Sequence, residues 1–116
     1  MQRLHGTMQH YPWGTTDAIP ELLGLSADEL PYAEYWLGAH PLSPATLAGD
    51  RLDHVLQTQP DLLGTANREA FGDRLPFLVK ILSARHALSL QAHPSRAQAE
   101  AGFAREHAAG IALQAP

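Results

Sequence analysis

The apolar positions of the chain switch between period two and a helical period, and each switch marks an element. Residues 3–11, RLHGTMQHY, weakly alternate, with Leu4 and Met8 interleaved with His5 and Gln9, which predicts an early edge strand. PWGTTD then turns, and Ile19 to Leu25 predicts a short helical piece ended by Gly24. After the polar connector SADELP, the aromatic-rich YAEYWLGAH (32–40) predicts a second strand. Period two places Tyr32, Glu34, Trp36, Gly38 and His40 together, opposite Ala33, Tyr35, Leu37 and Ala39. PLSP closes that strand, and ATLAG reads as a brief extended piece. Leu52, Val55 and Leu56 have i, i+3, i+4 spacing, so a helix is expected from Arg51 to about Gln57, stopped before Pro60. PDLLGTANREAFGDR reads as loop with a little helix.

The strongest β signal is LPFLVKILSARHALSLQAH (75–93). Phe77–Leu82 is a buried-type run, SARHA a turn-bearing connector, and Leu88–His93 a second strand, the two forming a hairpin or neighbouring antiparallel strands. On that second strand Ser89, Gln91 and His93 share one face, and Leu88, Leu90 and Ala92 the other. After Pro94 the character is helical. Ser95 is an N-cap and Gln98 completes a capping-box pattern. Ala97, Ala101, Ala104 and Ala108 follow at helical spacing, with Phe103 as the one large anchor and Gly110 where a C-terminal cap belongs. IALQAP (111–116) reads as a strand start. Taken together, the pattern predicts one mainly β unit with two or three short helices, without internal repeats.

Composition narrows the partners. Apolar residues make up 45% and charged residues 17% of the 116-residue chain, which favours a packed core over disorder. The formal net charge is −4, without a Lys/Arg cluster, so no nucleic acid is expected as a partner. With no cysteine, neither a disulfide framework nor a Cys-type zinc site can form. The N-terminal residues lack an apolar run of signal-peptide length, and no run approaches a membrane span. The expectation is a soluble, cytoplasmic protein with no membrane partner.

The candidate chemistry lies on the strands. Gln91 and His93, one residue apart, would have Cβ atoms roughly 6–7 Å apart on a strand, a gap that a metal can bridge. A solvated strand face accounts for the same spacing, and two neutral donors would hardly hold zinc alone. Lys80 sits inside FLVKIL, where its ammonium must reach water, a carboxylate or a ligand's negative charge. Glu34, on an aromatic strand, is either paired, with Lys80 as the natural partner, or placed for proton transfer. Trp13 and Trp36 read as packing rather than as sugar-stacking platforms, and His5, His10, His54, His86 and His107 share no spacing and read as surface. His40, followed by Pro41, reads as a strand end.

LPFLVKILSARHALSLQAHPSRAQAEAGFA (75–104) resembles the type I phosphomannose isomerases. MQHYPWGT (8–15) is similar to that family's N-terminal Q-x-Y-x-W-G strand, and AEYWLGAHPLSPA (33–45) to its A-E-x-W-x-G-x-H-P segment. The resemblance implies an incomplete cupin-type β-sandwich or jelly roll, and an enzyme that interconverts mannose 6-phosphate and fructose 6-phosphate with one zinc ion per complete site. It implies Gln91 and His93 as zinc ligands, Lys80, Ser89 and Glu34 as catalytic, pocket-lining residues, and Ser89, Lys80 and Trp13 as substrate contacts. The family continues past GI-x-L-x-A-P with a ligand Glu and, later, a ligand His and an active-site Arg. Residues 1–116 are therefore expected to be the N-terminal part of a longer catalytic domain, inactive alone and prone to self-association through exposed strand edges. Two other readings stand beside it: a non-catalytic cupin-like module that binds metal or sugar, and a fragment without stable structure.

Overall fold

A computed structural model of the chain describes residues 2–112. The first alternating segment forms two strands, β1 (Leu4–His5) and β2 (Thr7–Gln9), divided at Gly6. A side chain at Gly6 would meet the Trp36 carbonyl oxygen at 2.5 Å and the Tyr35 ring at 2.6 Å. Instead the Gly6 N–H donates to the Tyr35 hydroxyl. The division sends the chain into two sheets. β1 pairs with β4 (Thr46–Leu47), which turns back into β5 (Asp50–Arg51). Ala48 (φ 52°) and Gly49 (φ 95°), both left-handed, make that two-residue turn.

β2 pairs with β3 (Glu34–Gly38), and β3 pairs with β6 (Leu78–Leu82), all antiparallel. The expected β framework is thus present as two three-stranded sheets, with short helices attached. Trp36 stands opposite Lys80 and Glu34 opposite Leu82, so Glu34, Trp36, Lys80 and Leu82 project from the same face.

The helices follow local signals. α1 (Ala18–Leu23) buries Ile19 and Pro20 and ends at Gly24, which is left-handed at φ 67°. α2 (Leu52–Thr58) packs Leu52 and Leu56 on Ala45, the small core shared with the β4–β5 hairpin. Arg51 anchors its start: it pairs with Asp53 at 2.8 Å and donates to the Pro41 carbonyl at 3.0 Å. That hydrogen-bonded ion pair holds the Asp53 carboxyl below its ordinary range. A 3-10 turn (Pro60–Leu63) and α3 (Thr65–Phe71) occupy the stretch read as loop with a little helix.

α4 (Arg96–Ala108) carries the predicted capping box: the Ser95 side chain accepts from the Gln98 N–H, and the Gln98 side chain accepts from the Ser95 N–H. Gly110, at φ 73°, closes its other end; Gly110 and Ile111 N–H donate to the His107 and Glu106 carbonyls. This is the Schellman arrangement.

Three expectations fail here. Phe77–Leu82, read as a buried-type run, forms β6 but leaves Phe77, Val79 and Leu82 about half exposed, at the edge of its sheet. Leu88–His93 is not a strand, because none of the described strands pairs with it, and alternation without a ladder partner leaves the backbone irregular. Leu90 is fully exposed. Phe103 is not a buried anchor: it is 53% exposed, and α4 buries none of its residues. The strand start read at 111–116 lies largely outside the described residues. The radius of gyration is 18.3 Å, against roughly 13 Å for a compact domain of this length. No described helix is long and apolar enough to cross a membrane.

Candidate functional site

Glu34 opens β3 and is 8% exposed, the most buried acidic group among the described residues. An ionised carboxylate at that depth needs donors, and two strand neighbours supply them. Trp36, two residues on and therefore on the same face, donates from its indole Nε1 to Glu34 Oε2 at 2.5 Å. Lys80, opposite Trp36 on β6, places Nζ 3.3 Å from the same oxygen. The ammonium also lies 4.3 Å from the centre of the Trp36 ring, a cation–π distance. The Glu34–Lys80 pairing expected from two charges on apolar strands is present, and Trp36 serves as more than packing.

A shallow hollow of about 470 Å³ opens beside this cluster, lined by Trp13, Glu34, Leu88, Ser89 and Gln91. Trp13 reaches it because the chain crosses the sheet end at Gly14, which bridges to Ala84 while Thr15 bridges to Tyr32. The Arg85 N–H donates to the Trp13 carbonyl at 2.8 Å, and the Trp13 ring stacks on Tyr11 with centroids 5.8 Å apart. Of the sequence-predicted residues, the structure gathers Trp13, Glu34, Ser89 and Gln91 around one hollow, with Lys80 joined through Glu34.

His93 is elsewhere. It lines a second hollow with Ala92, Pro94, Gln98, Ala101 and Arg105, on the flank of α4. Both Gln91 and His93 are exposed. The two side chains line different hollows, on a segment that forms no strand. Among the described residues no group of three His, Cys, Asp or Glu is close enough to hold a metal. An imidazole and an amide oxygen suit zinc in kind, but two neutral donors fall short of the three or four that zinc takes. These residues on their own do not constitute a zinc centre.

Trp36 is the member that sequence reasoning missed. The signal was available: Glu-x-Trp on one strand puts an acceptor and an N–H on the same face. His40 extends the row, its ring edge-on to Trp36 at 5.1 Å.

The sequence model for the phosphomannose isomerase type I catalytic domain matches residues 1–110. Mannose-6-phosphate isomerase of Escherichia coli is 43% identical over 122 residues, covering 99% of this chain and 31% of that protein. The human mannose-6-phosphate isomerase is 36% identical, covering 80% of this chain and 25% of its own length. The apo crystal structure of the Salmonella typhimurium enzyme superposes with a TM-score of 0.81 at 42% identity, covering 99% of this chain and 30% of that one. The same enzyme bound to substrate and a zinc atom gives 0.81 at 41% identity, again over 99% of this chain and 30% of that one. The chain thus spans about a third or less of the relatives it matches. It belongs to the type I phosphomannose isomerases, matching their catalytic domain over nearly its whole length.

Proposed function

We propose that this chain supplies the N-terminal part of a zinc-dependent, cupin-type aldose–ketose isomerase that interconverts mannose 6-phosphate and fructose 6-phosphate in the cytoplasm. The observation that carries the reading is the buried Glu34 carboxylate, held by Lys80 and Trp36 at the edge of a hollow shared with Ser89 and Gln91. Those positions fall in the motifs that match the family. The exposure of Leu82 on the Glu34 face, of Phe77 and Val79 on the opposite one, and of Leu90 supports the view that further parts of a larger domain cover both faces.

The reaction moves a carbonyl between adjacent carbons, so a proton must leave a carbon next to a carbonyl and return one carbon away. Glu34 would accept that proton, its carboxylate held by Trp36 and Lys80. Lys80 and Ser89 donate hydrogen bonds to sugar or phosphate oxygens, and Trp13 walls the hollow. Gln91 and His93 would be two of the zinc donors, joined there by ligands from the rest of a longer protein. Zinc, when bound, polarises the carbonyl.

The test uses a protein of the relatives' full length that contains this chain. It should convert mannose 6-phosphate to fructose 6-phosphate and lose turnover on chelation. His93→Ala should lower both zinc content and turnover; no change in either would overturn the ligand assignment. Absence of turnover in the unsubstituted protein would overturn the activity itself.

A further inference from the structure

The two donors on Glu34 are not shared between its oxygens. Trp36 Nε1 and Lys80 Nζ both reach Oε2, while Oε1 has no hydrogen-bond partner among the described residues. Every fully buried side-chain oxygen of the non-exposed residues has a partner, so Oε1 is not fully buried even though Glu34 as a whole is 8% exposed. The hollow with Trp13, Ser89 and Gln91 is the opening that Glu34 lines.

From this asymmetry we infer that Trp36 is a positioning residue, which fixes Oε2 through its indole N–H, seats the Lys80 ammonium on its ring, and leaves Oε1 as the oxygen offered to a ligand. The inference builds on the role proposed for Glu34. Its physical basis is separate. A carboxylate rotates freely about its last bond unless one oxygen is tied, and a single ammonium on a flexible stem ties it poorly. An indole N–H on the same strand face is rigid, and the charge-assisted bond it makes is about twice as strong as a neutral one. The ring face then limits where the ammonium can sit, so Lys80 reaches the carboxylate from one side.

The test needs no substrate, which separates its failure from that of the isomerase reading. In the 116-residue chain, with Trp13→Phe so that one indole remains, the Trp36 indole proton is followed by NMR. Glu34→Gln should move that resonance upfield and speed its exchange with solvent about tenfold, close to one hydrogen bond's net contribution. Trp36→Phe, which keeps a ring but no N–H, should preserve the ring-current shift of the Lys80 side-chain methylenes, and Trp36→Leu should abolish it. Far-UV circular dichroism confirms that each variant is folded. An indole proton at its free-solvent position, unmoved by Glu34→Gln in a folded chain, would overturn the assignment. So would Lys80 methylenes indifferent to the loss of the ring.

Discussion

Lys80 Nζ lies 3.3 Å from Glu34 Oε2, one step diagonal to its register partner Trp36 across the β3–β6 ladder. The diagonal follows from antiparallel geometry, in which i and j±2 neighbours on one face come within reach of long side chains. Glu34 is nearly buried, whereas the Lys80 side chain is 36% exposed. The pair therefore sits between a surface ion pair, worth about 0–1 kcal/mol, and a buried one, whose breaking costs about 3–5 kcal/mol.

Lys80→Met should destabilise the chain by about 1–2 kcal/mol on that scale, because it leaves the Glu34 charge with one donor while keeping most of the apolar stem. Urea unfolding measures this directly. In a double-mutant cycle with Glu34→Gln the two losses should be less than additive. Full additivity would mean that the ammonium and the carboxylate do not interact in solution.

How much of this was legible depends on the range of the interaction. The Ser95–Gln98 box and the Gly110 cap involve residues within one turn, and both are present where the sequence places them. The β3–β6 face was legible in part, since a Lys and a Glu on apolar strands announce a pairing. Trp36 went unread because aromatic composition signals packing first. Leu88–His93 failed for a different reason: a strand is a property of two chains, and alternation specifies a face without specifying who pairs with it. Phe103 failed likewise: it has an anchor's size but stays half exposed, and α4 buries none of its residues.

Gly14 predicts a steric result. A Cβ there would lie 2.5 Å from the Ala33 nitrogen and 2.7 Å from Tyr32 C, and both are backbone atoms beside a fully buried Ala33. Neither can rotate away, so the strand crossing must open. Gly14→Ala should cost roughly 1–3 kcal/mol, the usual range for overpacking, and should shift the Trp13 fluorescence. A neutral substitution would show that the crossing is looser than described.

Acid should act through Asp53. The hydrogen bond and charge of Arg51 lower its folded pKa beneath the ordinary carboxylate value of about 3.9. A lowered folded value means stability that is fully present above about pH 4 and is lost as pH falls through the folded pKa. Wild type should therefore exceed Asp53→Asn in thermal midpoint at pH 7, with the gap closing below about pH 4. A gap that is constant between pH 7 and pH 2.5 would remove the Arg51–Asp53 pair as its cause.

Zinc gives the last expectation. Gln91 and His93 line separate hollows, and no group of three His, Cys, Asp or Glu that could hold a metal stands among the described residues. Ligand that binds only the folded state raises stability by RT ln(1 + [L]/Kd). A site with two neutral donors should be far from saturation at micromolar zinc, so chelator treatment should leave the thermal midpoint of the 116-residue chain unchanged. Zinc should also be lost on dialysis, and His93→Ala should behave like wild type in both measurements. In a protein of the relatives' length the same substitution should lower retained zinc below one ion per chain. Stoichiometric zinc held by the short chain, and lost with His93→Ala, would require the 88–93 segment to bring both donors together after all.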